Sequence, residues 1–265
     1  MIKIESYEEY KNIIADKVKK KYITNYFLFE EEIIRYINEC KFYYESHEYN
    51  ALLLYINCNQ FYRLYLYTDK EARLKISVQE KPVVADIIYI ANKGEPEIAQ
   101  ILRDSGFKDL ALYKQFYIKL SDLDLPKNDL LGYRIEYATE EQIPAILSIL
   151  NATFNDISNE LPDRDDLKKR IEKNSVVCLI SPDGKLCGCS QWDREKGTCI
   201  IKHTALVPEE RGKGMGKKFR IEIMRLINAE YLKHWVAEEN AIMREMNATL
   251  GYKFNGKHML KLILC

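Results

Sequence analysis

Apolar and polar positions recur along the chain with two periods, one typical of helices and the other of strands. Apolar residues three or four positions apart predict amphipathic helices, and short continuous apolar runs predict buried strands. The helical spacing covers residues 5–20, 29–39, 97–105, 143–150, 163–173, 219–227 and 241–250. Strand-like runs cover residues 51–56, 62–67, 83–90, 112–120, 133–137, 176–180, 186–192, 199–206, 235–237 and 259–264. This mixture predicts an α/β (α+β) protein.

The predicted elements follow a similar order in the two halves of the chain, which indicates a duplicated unit. In each half a helix is followed by a glycine and then a strand, at Gly106-Phe107-Lys108 and at Gly251-Tyr252-Lys253. Between the halves, the acidic stretch around Pro126 is typical of a linker. We therefore expect a domain over residues 1–125, a linker over 126–132 and a second domain over 133–265.

Composition narrows the possible partners and the compartment. The 265 residues include 40 basic and 40 acidic side chains, so no net charge attracts nucleic acid or a membrane surface. No apolar run approaches the ~18 residues of a membrane span, and the first residues do not resemble a signal peptide. Seven cysteines form no C-x-x-C pair and have no ligand-spaced histidines, which predicts reduced thiols and no metal site. These features predict a soluble cytoplasmic protein, a monomer or homodimer, without nucleic-acid or membrane partners.

Residues 207–218 carry the clearest chemical signal, because they place alternating glycines between a predicted strand and a predicted helix. Gly212, Gly214 and Gly216 let successive backbone amides face one point without side-chain obstruction. Together with the positive end of the helix, these amides predict a site for an anion, most naturally a pyrophosphate. We call this predicted site the amide cradle. Lys213 and Lys217 add positive charge. The alternative is a solvated glycine turn that connects the strand to the helix.

Two other phosphate motifs do not fit this loop. A Walker loop requires four residues between its first glycine and Gly-Lys, followed by Ser or Thr, and this spacing is absent here. A dinucleotide fingerprint requires G-x-G-x-x-G with a second βαβ unit, whereas these glycines alternate and no such unit follows.

The second half resembles the GCN5-related N-acetyltransferase (GNAT) family. The resemblance rests on Val207-Pro208-x-x-Arg211-Gly212-x-Gly214-x-Gly216 and on Asn240-x-x-Met243-x-x-x-Asn247-x-x-Leu250-Gly251-Tyr252. It implies two GNAT-like domains, each a mixed, mostly antiparallel twisted sheet flanked by helices, and acetyl-CoA as co-substrate. It further implies the following acetyl-CoA-binding residues: Leu206, Val207, Arg211, Gly212, Lys213, Gly214, Met215, Gly216, Lys217, Asn240, Met243 and Asn247. An open strand edge suits this role, since its amides can pair with those of the pantetheine arm.

The first half resembles the family only weakly, through Leu102, Gly106 and Phe107. No glycine occurs between Tyr67 and Val83, so no amide cradle of the same kind is expected there. We therefore expect a tandem protein whose N-terminal half is degenerate and whose C-terminal half is catalytic.

Three residues are candidates for catalysis. An amine of pKa ~10.4 is mostly protonated at neutral pH, so transfer to it benefits from a base. His203 lies on the strand expected to meet acetyl-CoA, and Glu238, beside Glu239, follows the next strand; a hydrogen-bonded core histidine and solvated carboxylates are the alternatives. The family often has a tyrosine acid on the last helix, and the resemblance places Asn247 there, which can donate a hydrogen bond but not a proton.

These features predict an acetyl-CoA-dependent N-acyltransferase that acetylates a primary amine of a small molecule or peptide by direct transfer in a ternary complex. Cys199 lies in an apolar strand, which favours packing over a covalent acyl-cysteine. The alternative is an acyl-CoA-binding regulatory or interaction protein with little turnover. An aminoacyl-tRNA-dependent transferase is a third possibility, against which the intact phosphate loop and the neutral charge argue.

Overall fold

A computed structural model describes residues 1–19, 22–47, 51–69, 74–76 and 80–265 of the chain. In these ranges the helices are α1 (Tyr7–Lys19), α2 (Glu30–Asn38), α3 (Glu97–Asp104), α4 (Ile143–Thr153), α5 (Asp156–Asn159), α6 (Arg164–Glu172), α7 (Met215–Leu226) and α8 (Ala241–Leu250). The strands are β1 (Ile2–Lys3), β2 (Ile23–Thr24), β3 (Phe42–Ser46), β4 (Leu52–Asn57), β5 (Tyr62–Thr68), β6 (Val83–Ile90), β7 (Lys108–Lys119), β8 (Arg134–Tyr137), β9 (Val176–Ile180), β10 (Leu186–Glu195), β11 (Thr198–Leu206), β12 (Tyr231–Ala237) and β13 (Lys253–Leu264). The predicted mixture of helices with mostly antiparallel strands is confirmed.

The chain forms two compact units that differ from the predicted domain limits at two segments. Unit 1 comprises Met1–Tyr113 together with Gly256–Cys265, and unit 2 comprises Lys114–Asn255. The division therefore falls within β7 and β13 rather than in the acidic stretch around Pro126. The end of β13 belongs to unit 1 because it pairs antiparallel with β6, from Lys257 opposite Ile90 to Leu264 opposite Val83.

The sheet of unit 1 is antiparallel except at one place. Strands β1, β3, β4 and β5 pair antiparallel in that order, and β13 pairs antiparallel with β6. Among the described strands of this unit, only β5 and β6 run parallel, and they pair over just two positions, Tyr62 with Val83 and Arg63 with Val84. Helix α3 packs against one face of this sheet, and α1 and α2 pack against the other.

Unit 2 has the same arrangement of strand directions. Strands β8, β9, β10 and β11 pair antiparallel in that order, and β12 pairs parallel with β11. Helices α7 and α8 cover one face, where Phe219, Ile223 and Leu232 are fully buried. Helices α4 and α6 cover the other face. Their amphipathic stripes bury against the sheet from both sides, which leaves the strand edges as the places where backbone groups remain accessible.

Candidate functional site

The two parallel strands of unit 2 separate at a β-bulge in β11. Gln191 of β10 pairs with His203, whereas the next residue, Trp192, pairs with Ile201, so Lys202 is an extra residue in β11. A bulge bends its strand and interrupts regular pairing. Pairing with β12 accordingly ends at Ile201 opposite His234, although β11 continues to Leu206. In the part of the chain that the structure describes, no strand pairs with this edge of β11 beyond Ile201, and we call it the open edge of β11.

The glycine loop follows directly from this open edge. Gly212 has φ 75° and Gly214 has φ 76°, and a Cβ at either position would meet no atom within 4 Å. Their left-handed conformation, rather than crowding, therefore requires glycine. Gly214 is the residue that precedes α7 at Met215, which is itself buried. Gly216 is helical, and its Cβ would lie at an ordinary 3.7 Å from Leu206 and Met246.

The amides of this loop are available to a ligand. In the ranges that the structure describes, none of the backbone N–H groups of residues 212–217 donates to a protein acceptor. Several of them precede or belong to the first turn of α7, where helical N–H groups have no partner within the helix. The positive end of the helix dipole lies at the same place. The loop therefore presents unpaired amides at the positive end of α7, and the anion site predicted here stays a prediction.

Arg211 and Val207 connect this loop to the sheet rather than pointing freely into it. The Arg211 side chain donates from Nε to the Leu206 carbonyl at 3.0 Å and from Nη2 to Thr153 Oγ1 at 3.0 Å. The Val207 amide donates to the Cys187 carbonyl at 2.9 Å. These bonds hold the loop at the end of β11 and engage the Arg211 side chain, so the donors that the loop leaves unpaired are mainly backbone amides.

One carboxylate lies beside the cradle and is partly neutralised by its neighbours. Glu210 accepts a hydrogen bond from the Tyr133 hydroxyl at 2.8 Å, and its Oε2 lies 3.4 Å from Lys213 Nζ. The bond to Glu210 raises the pKa of Tyr133 to about 12. These contacts reduce the repulsion that Glu210 exerts on an anion in the cradle.

An open groove of about 310 Å³ extends from the start of α7 to the outer side of α8. It is lined by Lys217, Ile242, Glu245, Met246 and Thr249. Asn240 lies at the start of α8, where its Oδ1 accepts from the Met243 amide at 3.0 Å. Asn240 is therefore the N-cap of α8, as its position before the helix predicts. Asn240 and Met243, two of the residues predicted to bind acetyl-CoA, therefore lie at the start of the helix that forms one wall of the groove.

His203 is held inside the protein by hydrogen bonds to both ring nitrogens. Gln191 Nε2 donates to His203 Nδ1 at 2.8 Å, and His203 Nε2 donates to the Asn159 carbonyl at 2.9 Å. Because burial disfavours the charged ring, it lowers the pKa of His203 to about 4. A neutral imidazole whose acceptor is already occupied is a poor base. The geometry thus favours the alternative of a hydrogen-bonded core histidine.

Glu238 is the most accessible of the three predicted catalytic residues. It follows the end of β12, and its side chain remains 44% exposed while Oε1 lies 2.7 Å from Lys114 Nζ. The neighbouring Glu239 is exposed. A carboxylate that reaches solvent next to the separated strands can accept a proton through water.

Asn247 lies in a buried polar cluster formed by α7, β12 and α8. It is 1% exposed, and its Oδ1 and Nδ2 have no hydrogen-bond partner in the described parts of the chain. Burial holds the pKa of His234 well below its usual value and Arg220 lowers this pKa further, whereas the neighbouring Asn247 carboxamide raises it. The His234 ring stacks on Tyr252 with centroids 4.7 Å apart.

The corresponding place in unit 1 is filled by the chain itself. Where β5 and β6 stop pairing, the Asn25 carboxamide donates to the carbonyls of Leu64 at 3.0 Å and Asp86 at 3.1 Å. Its Oδ1 accepts from the Leu66 amide at 2.9 Å. Farther along β5, β2 pairs with Tyr67 and Thr68. Residues 23–25 therefore occupy the edge of β5 that corresponds to the open edge of β11.

The remaining sequence predictions concern metals, thiols, membranes and the first-half loop. No group of three His, Cys, Asp or Glu residues able to hold a metal occurs in the ranges described, and the seven cysteines are free. Cys199 is buried, and its thiol pKa is raised by burial. Within those same ranges, no helix has the length and apolarity needed to cross a membrane. The segment between Tyr67 and Val83 lies partly outside the described residues, so its predicted lack of a cradle stays a prediction.

Comparison with solved structures identifies the fold. A GCN5-related N-acetyltransferase from Kribbella flavida superposes with a TM-score of 0.57 at 13% identity, covering 88% of this chain and 93% of that one. One from Sphaerobacter thermophilus has a TM-score of 0.57 at 12% identity, covering 80% and 76%. A tandem GNAT protein from the clavulanic acid biosynthesis pathway has a TM-score of 0.54 at 14% identity, covering 81% and 78%. No family model and no curated protein sequence matches the chain.

The chain therefore has the fold of the GNAT acetyltransferases, a fold that generally uses acetyl-CoA, and a tandem GNAT protein is among its structural neighbours. The predicted resemblance is confirmed at the level of the fold. That the N-terminal half is degenerate remains a proposal.

We call the place where the two parallel strands of a unit stop pairing its strand cleft. Four residues at these clefts were not predicted from the sequence: Lys202, Arg220 and His234 in unit 2, and Asn25 in unit 1. For two of them a signal was present. Arg220 is a charged residue between the apolar Phe219 and Ile221, and His234 alternates with Leu232 and Val236, which places it on the buried face of its strand. Neither pattern occurs for Lys202 or Asn25, whose roles depend on strand register and on distant contacts.

Proposed function

We propose that the chain is an acetyl-CoA-dependent N-acyltransferase whose unit 2 transfers an acetyl group to a primary amine of a small molecule or peptide. The observation that supports this most is the row of unpartnered amides in residues 212–217, at the end of an open strand edge. Both features suit a long ligand with phosphates at one end and amides along its length.

The residues present fit acetyl-CoA in this orientation. The amides of residues 212–217 would hold the pyrophosphate, with Lys213 and Lys217 adding positive charge. The open edge of β11 near Leu206 would hold the pantetheine arm, and the groove between α7 and α8 would take the remainder. Met215 is buried at the start of α7, and Arg211 fixes the loop through its hydrogen bonds to Leu206 and Thr153.

Glu238 is the residue best placed to serve as the base. An ammonium substrate must lose a proton before its nitrogen can attack, and only about one amine in several thousand is neutral at pH 7. Glu238 would attract the cationic substrate and accept its proton through water. His203 then has a structural role, since both of its nitrogens are already bonded.

Unit 1 would carry no acyl-CoA, because residues 23–25 occupy its strand cleft. A ligand amide in that place would have to displace three buried hydrogen bonds of the Asn25 side chain. We therefore propose that unit 1 is the degenerate half and that each chain holds one acyl-CoA.

The second candidate function is an acyl-CoA-binding regulatory protein with little turnover. Asn247 favours it, because an asparagine at this position cannot protonate a departing thiolate. Such a protein would bind acetyl-CoA equally well.

An acetyl-transfer assay separates these two functions. We expect acetyl-CoA and a panel of primary amines to give amine-dependent release of free CoA thiol, with Glu238→Gln lowering the rate about 100-fold or more. Glu239→Gln, which changes the adjacent exposed carboxylate, is the control and should retain most of the rate. The ion pair between Glu238 and Lys114 is partly exposed and contributes at most about 1 kcal/mol to stability, so its loss should not unfold the protein. Acetyl-CoA binding without release for any amine would favour the regulatory protein.

A further inference from the structure

Unit 2 contains a buried arginine that faces no carboxylate among the described residues. Arg220 of α7 is 3% exposed, and in the described part of the chain it forms no ion pair. Its Nη2 contacts His234 Nδ1, and its guanidinium carbon lies 5.3 Å from the centre of the Tyr252 ring. Arg63 of unit 1 is similarly buried but has Asp86 at 3.5 Å from its Nε. Burial of a guanidinium without a counter-charge is strongly unfavourable, and an aromatic ring offsets only part of it.

The side chains around Arg220 offer more donors than acceptors. A guanidinium can only donate, so His234 Nδ1 accepts and the ring proton is on Nε2. Among the described residues, four donors then lack an acceptor, namely Arg220 Nε, His234 Nε2, Asn247 Nδ2 and the Tyr252 hydroxyl, whereas one acceptor, Asn247 Oδ1, lacks a donor. A buried positive charge with unpartnered donors is the environment that an anion requires.

The cluster lies where the open edge of β11 begins. His234 is the last residue of β12 to pair with β11, opposite Ile201. From this point to the glycine loop, β11 continues over residues 202–206, a length of roughly 17 Å at ~3.3 Å per residue. A ligand with its phosphates in the cradle and its arm along this edge would have its far end near His234 and Asn247.

We propose that Arg220, His234 and Asn247 form an anion site that stabilises the sulfur of coenzyme A as a thiolate. This inference rests on the proposed function, because it takes the pantetheine arm to lie along β11. His234 Nε2 and Asn247 Nδ2 donate to the sulfur, and Arg220 is a positioning residue that acts through His234. The site replaces a proton-donating side chain with fixed donors and a buried charge.

The transfer step balances without an acid. The amine nitrogen forms a bond to the acyl carbon, the carbon–sulfur bond breaks, and its electron pair remains on sulfur. The amine proton leaves through Glu238 and water to solvent. The thiolate is held by the two donors and takes up a proton only after it reaches water. Because the donors are in place before charge develops, little reorganisation is needed.

Among the residues that the structure describes, the aromatic rings in contact with His234 carry no charge that would oppose this role. Phe116 of β7 contributes only a ring edge to His234, with centroids 6.1 Å apart, and Tyr252 contributes its ring and hydroxyl. The carboxylate of Glu238, beyond the end of β12, has Lys114 beside it.

The direct test is the pKa of the CoA thiol bound to the full-length protein, followed by the ultraviolet absorbance of the thiolate as pH is raised. A free thiol has a pKa of ~8.5, and we expect a value of about 7 or below in the complex. Arg220→Met and Asn247→Leu should return it to 8.5 or above, because burial without the donors disfavours the thiolate. Arg244→Met, at an exposed arginine of α8, is the control and should leave the low value unchanged.

Desulfo-CoA distinguishes this inference from the proposed function. Its affinity should be the same in the wild type and in both cluster variants, since it lacks the sulfur. A bound thiol with a pKa of 8.5 or above in the wild type would overturn the inference even if neither variant folds. Failure of both CoA and desulfo-CoA to bind would overturn the proposed function as well.

Discussion

Gly214→Glu is expected to abolish measurable acetyl-CoA binding, with an affinity loss of at least about 100-fold. Gly214 has φ 76°, a conformation that costs an L-residue roughly 1 kcal/mol. The larger effect is electrostatic, because the new carboxylate would stand among the amides of residues 212–217 and repel a pyrophosphate. Isothermal titration of the purified variant with acetyl-CoA measures this loss.

Gly184→Glu is the matched control for this experiment. Gly184 lies in the turn between β9 and β10, has φ 83°, and likewise has no atom within 4 Å of its Cβ position. The same substitution there introduces similar backbone strain and the same charge away from the cradle, so affinity should stay within about two-fold. Unchanged affinity in Gly214→Glu would show that the anion is bound elsewhere.

Asn25→Ala is expected to destabilise unit 1 by about 3 kcal/mol or more. The side chain satisfies the carbonyls of Leu64 and Asp86 and the amide of Leu66, all in a buried position where Asn25 is 6% exposed. Each buried group left without a partner costs about 1–3 kcal/mol. For a chain of this size the change should lower the midpoint of thermal unfolding by about 6 °C or more.

Asn38→Ala, at an exposed position near the end of α2, is the control within the same unit and should change the midpoint by less than about 2 °C. Acetamide at high concentration should partly restore Asn25→Ala, because it can replace the missing carboxamide. A midpoint equal to that of the wild type would mean that Asn25 does not hold the strand cleft together.

The elements that the sequence predicted well are those whose signal is local. The glycine loop, the N-cap Asn240 and the helices α4 and α8 depend on residues within a few positions of one another. Strand β3 was missed because its aromatic and polar residues, Phe42–Ser46, do not alternate clearly. Helix α5 was missed because its four residues, Asp156–Asn159, are too few for a periodic pattern.

The site residues that were missed depend on contacts far apart in the chain. Asn25 bonds to residues about forty and sixty positions away, and the bulge at Lys202 exists only in the register between β10 and β11. The position of β13 has the same origin, since its pairing with β6 joins the end of the chain to its first half. His203 shows the opposite case, because its strand position was predicted but its partners decide its role.

The most direct test of the central claim is amide hydrogen exchange of the wild-type chain with and without acetyl-CoA. The unpartnered amides of residues 212–217 should exchange rapidly alone, and acetyl-CoA should slow exchange across residues 202–217. In unit 1, residues 62–68 and 83–90 should be unaffected, because Asn25 and β2 already occupy that cleft. Protection in those unit 1 segments, or none in residues 202–217, would contradict the assignment of acyl-CoA to unit 2.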